Sequence, residues 1–417
     1  MNTDRKHWAA LALTASLSCG AYAQDRIKVG FMLPYSGTYA ALGSAIENGF
    51  RMFVNEQGGR LGGREIEFFK VDDESDPAKA TDNVNRLIKR DKVDVLVGTV
   101  HSGVAMAMAR AAKESGTVLI VPNAGADAVT GAMCAPNIFR SSFSNWQSSY
   151  PMGVVAARQE GRKTAMTITW KYAAGEEMTN AFKEGFEKEG GKVSKQLTVP
   201  FPNVEFQALL TEIAAARPDA VFAFFAGAGA VKFVKDYHAA GLHKTIPLYG
   251  SGFLTDGTLE AQGEAAQGVL TTLHYADELG TERDRRFRSA YAQAYKLMPD
   301  VYAVQGYDAA QMLGVGLKAA GGDIAKKAEF RQAIEKEHRN KYYKGNAGYT
   351  SLGIGLSIAV VASLFIFGDL SEDVYALIFV PTFFSLFFGT FTIGLGRSGC
   401  LRGRFGDRGR RRGRTNY

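Results

Sequence analysis

Cysteine is nearly absent, with three residues in 417, at positions 19, 134 and 400. A disulfide framework is thereby excluded, and the fold has to rest on hydrophobic cores. Cys134 reads as a buried thiol. Histidine is also sparse: six residues lie scattered at 7, 101, 238, 243, 274 and 338. No zinc-type spacing of His and Cys occurs, so no metal and no cofactor is expected. A G-x-S-x-G nucleophile elbow is missing too. His101 beside Ser102 suggests a base and a nucleophile, but adjacent side chains rarely aim at one another. Asp72 and Asp73 could hold a cation, although a solvated turn at a strand end is the plainer reading. The chain is not expected to be an enzyme.

Excess charge of one sign is missing from most of the chain as well. The net charge is +7, and Arg397–Tyr417, with eight Arg against one Asp, accounts for all of it. A basic nucleic-acid-binding body is therefore excluded. The Arg/Gly tail could hold nucleic acid only nonspecifically, a remote role for an exported chain, and no nucleic-acid partner is expected.

Export is what the first residues predict. Arg5 and Lys6 form a positive start, Trp8 to Leu17 a short apolar stretch, and Ala21-Tyr22-Ala23 an A-x-A cleavage site. The apolar stretch is too short to span a bilayer, so residues 1–23 read as a signal peptide.

From Arg26 onward strand and helix patterns alternate. Strands are expected at Ile27–Leu33, Glu65–Val71, Val93–Val97 and Val118–Val121, with helices over Ala40–Gln57, Asp76–Arg90 and Ser102–Glu114. Asp76-Pro77 has the form of an N-cap followed by a first-turn proline. The pattern then repeats. Strands are expected at Thr164–Thr169, Lys192–Val199, Ala220–Phe225, Leu248–Tyr249 and Gly268–Leu273. Helices are expected over Glu177–Glu189, Phe206–Ala216, Val231–Ala240, Glu282–Lys296, Val304–Ala320 and Lys326–Lys336. Apolar strands separated by helices mean parallel sheets covered on both faces. The predicted fold class is α/β, with two doubly wound parallel-sheet lobes, and ligands of such sheets bind beyond the carboxyl ends of the strands.

The character changes near His338. Residues 349–367 and 375–395 are nearly all apolar, and each is long enough to cross a membrane. They predict a C-terminal apolar helical hairpin and offer a membrane contact.

The ordered set Ile27-Lys28-Val29-Gly30 with Ser36-Gly37, Asn55 to Gly63, Val71 to Pro77, Val97-Gly98 through Ser102, Val121-Pro122-Asn123-Ala124, and Tyr172 with Gly175 resembles the leucine/isoleucine/valine-binding protein family. These are type I periplasmic binding proteins of branched-chain amino acid importers. The resemblance covers about Arg26 to Glu337 and implies a clamshell that closes on a ligand and docks on an ABC permease in the inner membrane. It implies crossings between lobes near Arg140 to Asn145 and near Thr271 to Tyr275. The domains expected are residues 25–142 (first part of lobe 1), 143–271 (lobe 2), 272–337 (second part of lobe 1) and 338–417, which matches nothing in the family. Localisation in the periplasm follows from the resemblance.

Ser102 stands where a strand gives way to a helix. Its hydroxyl and the amides of Gly103 and Val104 make a carboxylate site, since a helix N-terminus attracts anions. The resemblance gives the matching Ser the same role. Asn123, Ala124 and Gly125 follow the next strand end and would frame the head group, with Gly125 in place of the family's Thr. The loop Tyr249 to Phe253, where amino-acid binders supply a carboxylate, contains no acid. A buried ammonium without a counter-ion costs several kcal/mol, on the order of what breaking a buried pair costs. The expected ligand is therefore a small carboxylic acid with an aromatic or apolar body. Tyr172, Phe225, Phe253 and Trp146 could wall that body, and Gly227 with Gly229 could bring backbone amides near it. The alternatives are a binder of branched-chain or other amino acids, and a membrane-tethered sensing receptor. A tether conflicts with the positive-inside rule, because two spans would return the Arg tail outside. Residues 338–417 are expected to be a foreign fusion or frame-shifted end, leaving lobe 2 with a bare edge strand.

Overall fold

The computed structural model describes residues 26–277, 279–343 and 359–362. The first sheet is six-stranded, in the order β2-β3-β1-β4-β5-β6. Its strands are β1 (Ile27–Leu33), β2 (Arg60–Leu61), β3 (Arg64–Asp72), β4 (Val95–Val97), β5 (Val118–Val121) and β6 (Ile138–Arg140). All neighbours are parallel except the β2–β3 hairpin. Helices α1 (Ala40–Glu56), α2 (Pro77–Asn85) and α3 (Ser102–Ser115) connect them. Asp76 caps α2 by accepting from Ala78 N at 2.8 Å, with Pro77 next, as the sequence predicts.

The chain leaves this sheet after Arg140 and enters α4 (Asn145–Val154). The second sheet is built from β7 (Thr164–Trp170), β8 (Lys192–Val199), β9 (Ala220–Phe224), β10 (Leu248–Ser251) and β11 (Leu270–Leu273), with α5 (Ala173–Lys188), α6 (Gln207–Ala216) and α7 (Gly227–Ala239) between them. The sheet runs to Leu273, two residues past the boundary expected at 271. The chain then returns to the first lobe through α8 (Glu282–Tyr295), α9 (Val301–Ala319) and α10 (Lys327–Tyr343). Helix α9 packs against α1 at very short range: a Cβ on Gly306 would meet Ile46 O at 1.9 Å, and one on Gly49 would meet Ala303 O at 1.9 Å.

Both sheets are lined by apolar residues on their helix-covered faces, and β4, β5 and β9 are buried at every position. Such strands carry no alternation, which is the signature of a parallel sheet packed on both sides.

Three expectations are corrected. Ala359–Ala362, inside the first C-terminal apolar run, forms strand β12 and pairs antiparallel with β11 rather than forming a helix. The β11 edge is therefore covered, not bare. The remainder of that run, the run 375–395, the signal peptide and the Arg tail lie outside the described residues. Among the described residues no helix is long and apolar enough to cross a membrane. Cys134 is half-buried and disulfide-bonded, not a free thiol.

Candidate functional site

The cleft between the lobes lies at the carboxyl ends of both sets of strands. Ser102 opens α3 just past β4, and Asn123 and Gly125 follow β5. From the facing lobe come Tyr172 and Ala174 after β7, Phe224 at the end of β9 with Ala226 just past it, and Phe253 after β10. Tyr39, ahead of α1, and Tyr302, in the first turn of α9, complete the wall with Phe143, Asn145 and Met178. Together they line one narrow cavity at the cleft.

Ser102 is buried, and its Oγ has no hydrogen-bond partner among the described residues. The hydroxyl of Tyr302 is likewise buried and unpartnered. Burial, with Asp256 and Asp300 nearby, holds the Tyr302 phenol well above its ordinary pKa, so it stays protonated. The Asn123 amide is hydrogen-bonded to that of Gln305 at 2.8 Å. No Asp, Glu, Lys or Arg is among the described residues lining the cavity.

His101 is the N-cap of α3. Its Nδ1 accepts from Gly103 N at 3.1 Å, so the Gly103 amide is engaged by protein rather than open to a ligand. The imidazole also stacks on Tyr172, at 4.5 Å and 22°. Burial lowers its pKa to about 4, which keeps it neutral. It makes no hydrogen bond to Ser102 Oγ, and no base–nucleophile pair forms. Asp72 and Asp73 hold the turn after β3. Asp72 accepts from Tyr35 N at 2.8 Å, while Asp73 is fully buried, accepting from Ser75 N at 2.7 Å and from the Thr99 hydroxyl. Asp73 is thus not solvated, and burial raises its pKa to about 6. Among the described residues no cluster of His, Cys, Asp and Glu could hold a metal.

The lobes are shut. Tyr39 and Tyr172 share a hydroxyl–hydroxyl bond of 3.0 Å across the cleft. Gly229 N donates to Thr38 Oγ1 at 3.2 Å, and Val301 N to Asp256 Oδ1 at 2.9 Å. Asp127 N donates to Glu177, whose carboxylate also takes Asn145 Nδ2 at 2.6 Å. Burial raises the pKa of Glu177, and Arg140 lies nearby, donating to Ala126 O at 2.8 Å.

Of the residues singled out from sequence, Ser102, Asn123, Gly125, Tyr172 and Phe253 line the cavity. Gly103, Val104 and Ala124 are not among the residues lining it. Phe225 is corrected: it is fully buried among Trp170, Phe206 and Phe233, and its neighbour Phe224 faces the cavity. Gly227 is corrected as well. Its φ is +56°, and a Cβ there would meet Thr38 O at 2.3 Å, so it serves lobe closure. Trp146 does not line the cavity: it is half-buried, stacked on Tyr150 at 4.5 Å, and its Nε1 donates to Glu184 at 2.9 Å. A Cβ on Gly125 would meet Asn145 Oδ1 at 2.3 Å, so Asn145 fills the space that a Thr would need.

Residues 26–349 match the family described as periplasmic binding protein. The chain is 32% identical over 337 residues to Leu/Ile/Val-binding protein homolog 6 of Brucella melitensis, spanning 78% of this chain and 85% of the relative. Among solved structures it is similar to an ABC transporter solute-binding protein from R. palustris in complex with benzoate. That match has 55% identity and a TM-score of 0.73, over 74% of this chain and 85% of the other. A solute-binding protein of Rhodopseudomonas palustris BisB5 in complex with 3,4-dihydroxybenzoic acid matches at 32% identity with a TM-score of 0.70, over 74% of this chain and 85% of the other.

Proposed function

The chain belongs to the periplasmic binding protein family, and from that footing we propose that it is the exported solute-binding component of an ABC importer for a benzoate-like aromatic carboxylate. The observation that carries this reading is the Ser102 hydroxyl at the N-terminus of α3, unpartnered among the described residues, in an aromatic-walled cavity whose described lining carries no charged side chain. A carboxylate there completes the hydroxyl's hydrogen bonding and lies on the positive end of the helix, worth ~0.3–2 kcal/mol from the dipole. A flat ring then meets Tyr39, Tyr172, Phe143, Phe224 and Phe253. A free amino acid would add a buried ammonium, and the described lining offers no carboxylate to pair it. Relatives holding benzoate and 3,4-dihydroxybenzoic acid support the same class. On this reading the partners are the small acid and an inner-membrane ABC permease, the site of action is the periplasm, and no turnover occurs.

Thermal unfolding and calorimetric titration against benzoate, 4-hydroxybenzoate, benzamide and leucine test the reading. Benzoate should raise the melting temperature by mass action, while leucine leaves it unchanged. A response to leucine alone would overturn the proposal.

A further inference from the structure

Behind the cavity runs a buried polar line of three residues from three distant segments. Asn123 lines the cavity, and in the structure its Nδ2 faces Gln305 Oε1 at 2.8 Å. Gln305, on α9, is fully buried and meets His274 Nε2 with its other end at 3.1 Å. His274 follows β11 and is stacked on Phe143 at 4.9 Å and 17°. Burial lowers its pKa to about 3, so the ring is neutral.

A neutral imidazole carries one N–H, and its position sets the direction of every bond in the line. His274 Nδ1 is buried with no partner among the described residues. A proton there would be a stranded donor, which is rarer in proteins than a bare acceptor. The proton therefore belongs on Nε2, facing Gln305. Nε2–H then donates to Gln305 Oε1, and Gln305 Nε2 donates to Asn123 Oδ1. This direction is the reverse of the one in which the structure sets the two amides, with Asn123 Nδ2 on Gln305 Oε1 and Gln305 Nε2 on His274, and it requires only a half-turn of each amide, which exchanges O and N at nearly the same positions. The unturned arrangement has a cost. It would strand the Nδ1 proton and turn the Asn123 oxygen toward the cavity.

Resting on the aromatic-carboxylate reading, we infer that Gln305 and His274 are positioning residues that hold the Asn123 NH2 group toward the cavity, making it a second donor to the ligand carboxylate beside Ser102. Specificity for an acid is then fixed partly by a histidine tautomer that no ligand touches.

Long-range 15N–1H NMR of the imidazoles in the full chain, with His274→Phe for assignment, reads the tautomer directly. The expected result is a neutral ring protonated on Nε2; protonation on Nδ1 overturns the inference. Asn123→Leu supplies a test of sign by titration with benzoate. Loss of a donor to a carboxylate should weaken binding roughly tenfold to a hundredfold. Unchanged or tighter binding means that an oxygen faced the cavity and overturns the inference. Failure of the unaltered chain to bind benzoate would refute the proposed function instead, while the tautomer result would still decide the orientation of Asn123.

Discussion

The Ser102 hydroxyl is buried with no hydrogen-bond partner among the described residues, a position that is unfavourable until an acceptor arrives. Ser102→Ala should therefore weaken benzoate binding by about 1.5–3 kcal/mol, the worth of a hydrogen bond to a charged group, as measured by calorimetry. Asp73 makes a different prediction. Its pKa is raised by burial from 3.8 to about 6. An acid shifted this way costs nothing while protonated in both states, below about pH 4, and costs most above its folded value. Stability from this group is lost as pH rises between those limits. Asp73→Asn keeps an oxygen for Ser75 N, and Thr99 can turn its hydroxyl to accept. The variant should gain on the unaltered chain by on the order of 1–3 kcal/mol between pH 4 and 6.5 in urea melts. A constant difference across that range would contradict it. Ser102 was legible in sequence because strand end, hydroxyl and helix start are local features. Phe224 against Phe225 was not: β9 is apolar at every position, so no alternation marks which ring faces the cleft.

At the scale of elements, the tightest packing is that of α1 on α9, where Gly49 and Gly306 let the two backbones touch. Gly306→Val would force these helices apart. It should cost about 3 kcal/mol, seen as a lower urea midpoint with an unchanged slope. Most strands and helices fall where the sequence pattern puts them. The sequence pattern missed strand β6 and helix α4 altogether, and it placed two helix starts late. Helix α5 begins at Ala173 rather than near Glu177, and α7 at Gly227 rather than Val231. Both first turns consist of small residues with little apolar period, so they read as loop. The structure gives the reason for their size: a Cβ on Gly175 would meet Trp170 O at 2.1 Å, and one on Gly229 would meet the Trp170 ring at 2.3 Å. The strand β12 was also missed, because a continuous apolar run does not by itself separate strand from helix.

For the whole molecule, the decisive geometry is closure. Tyr39 and Tyr172 come from opposite lobes, and their hydroxyls meet only when the cleft is shut. Tyr39→Phe and Tyr172→Phe should each weaken ligand binding. A double-mutant cycle on benzoate affinity should show coupling of about 1 kcal/mol; strict additivity would mean that this bond does not stabilise the closed form. By itself the sequence determined the succession of strands and helices, the doubly wound class and the helix terminus that offers an anion site, since all of these rest on local periodicity, caps and turns. Only the tertiary structure decided that Tyr39, Asn145, Phe224 and Tyr302 share a wall with Ser102, and that Gln305 and His274 stand behind Asn123. Such meetings depend on the phase of each strand and helix where it ends at the cleft and on how two lobes fold over one another. No window of neighbouring residues contains that information.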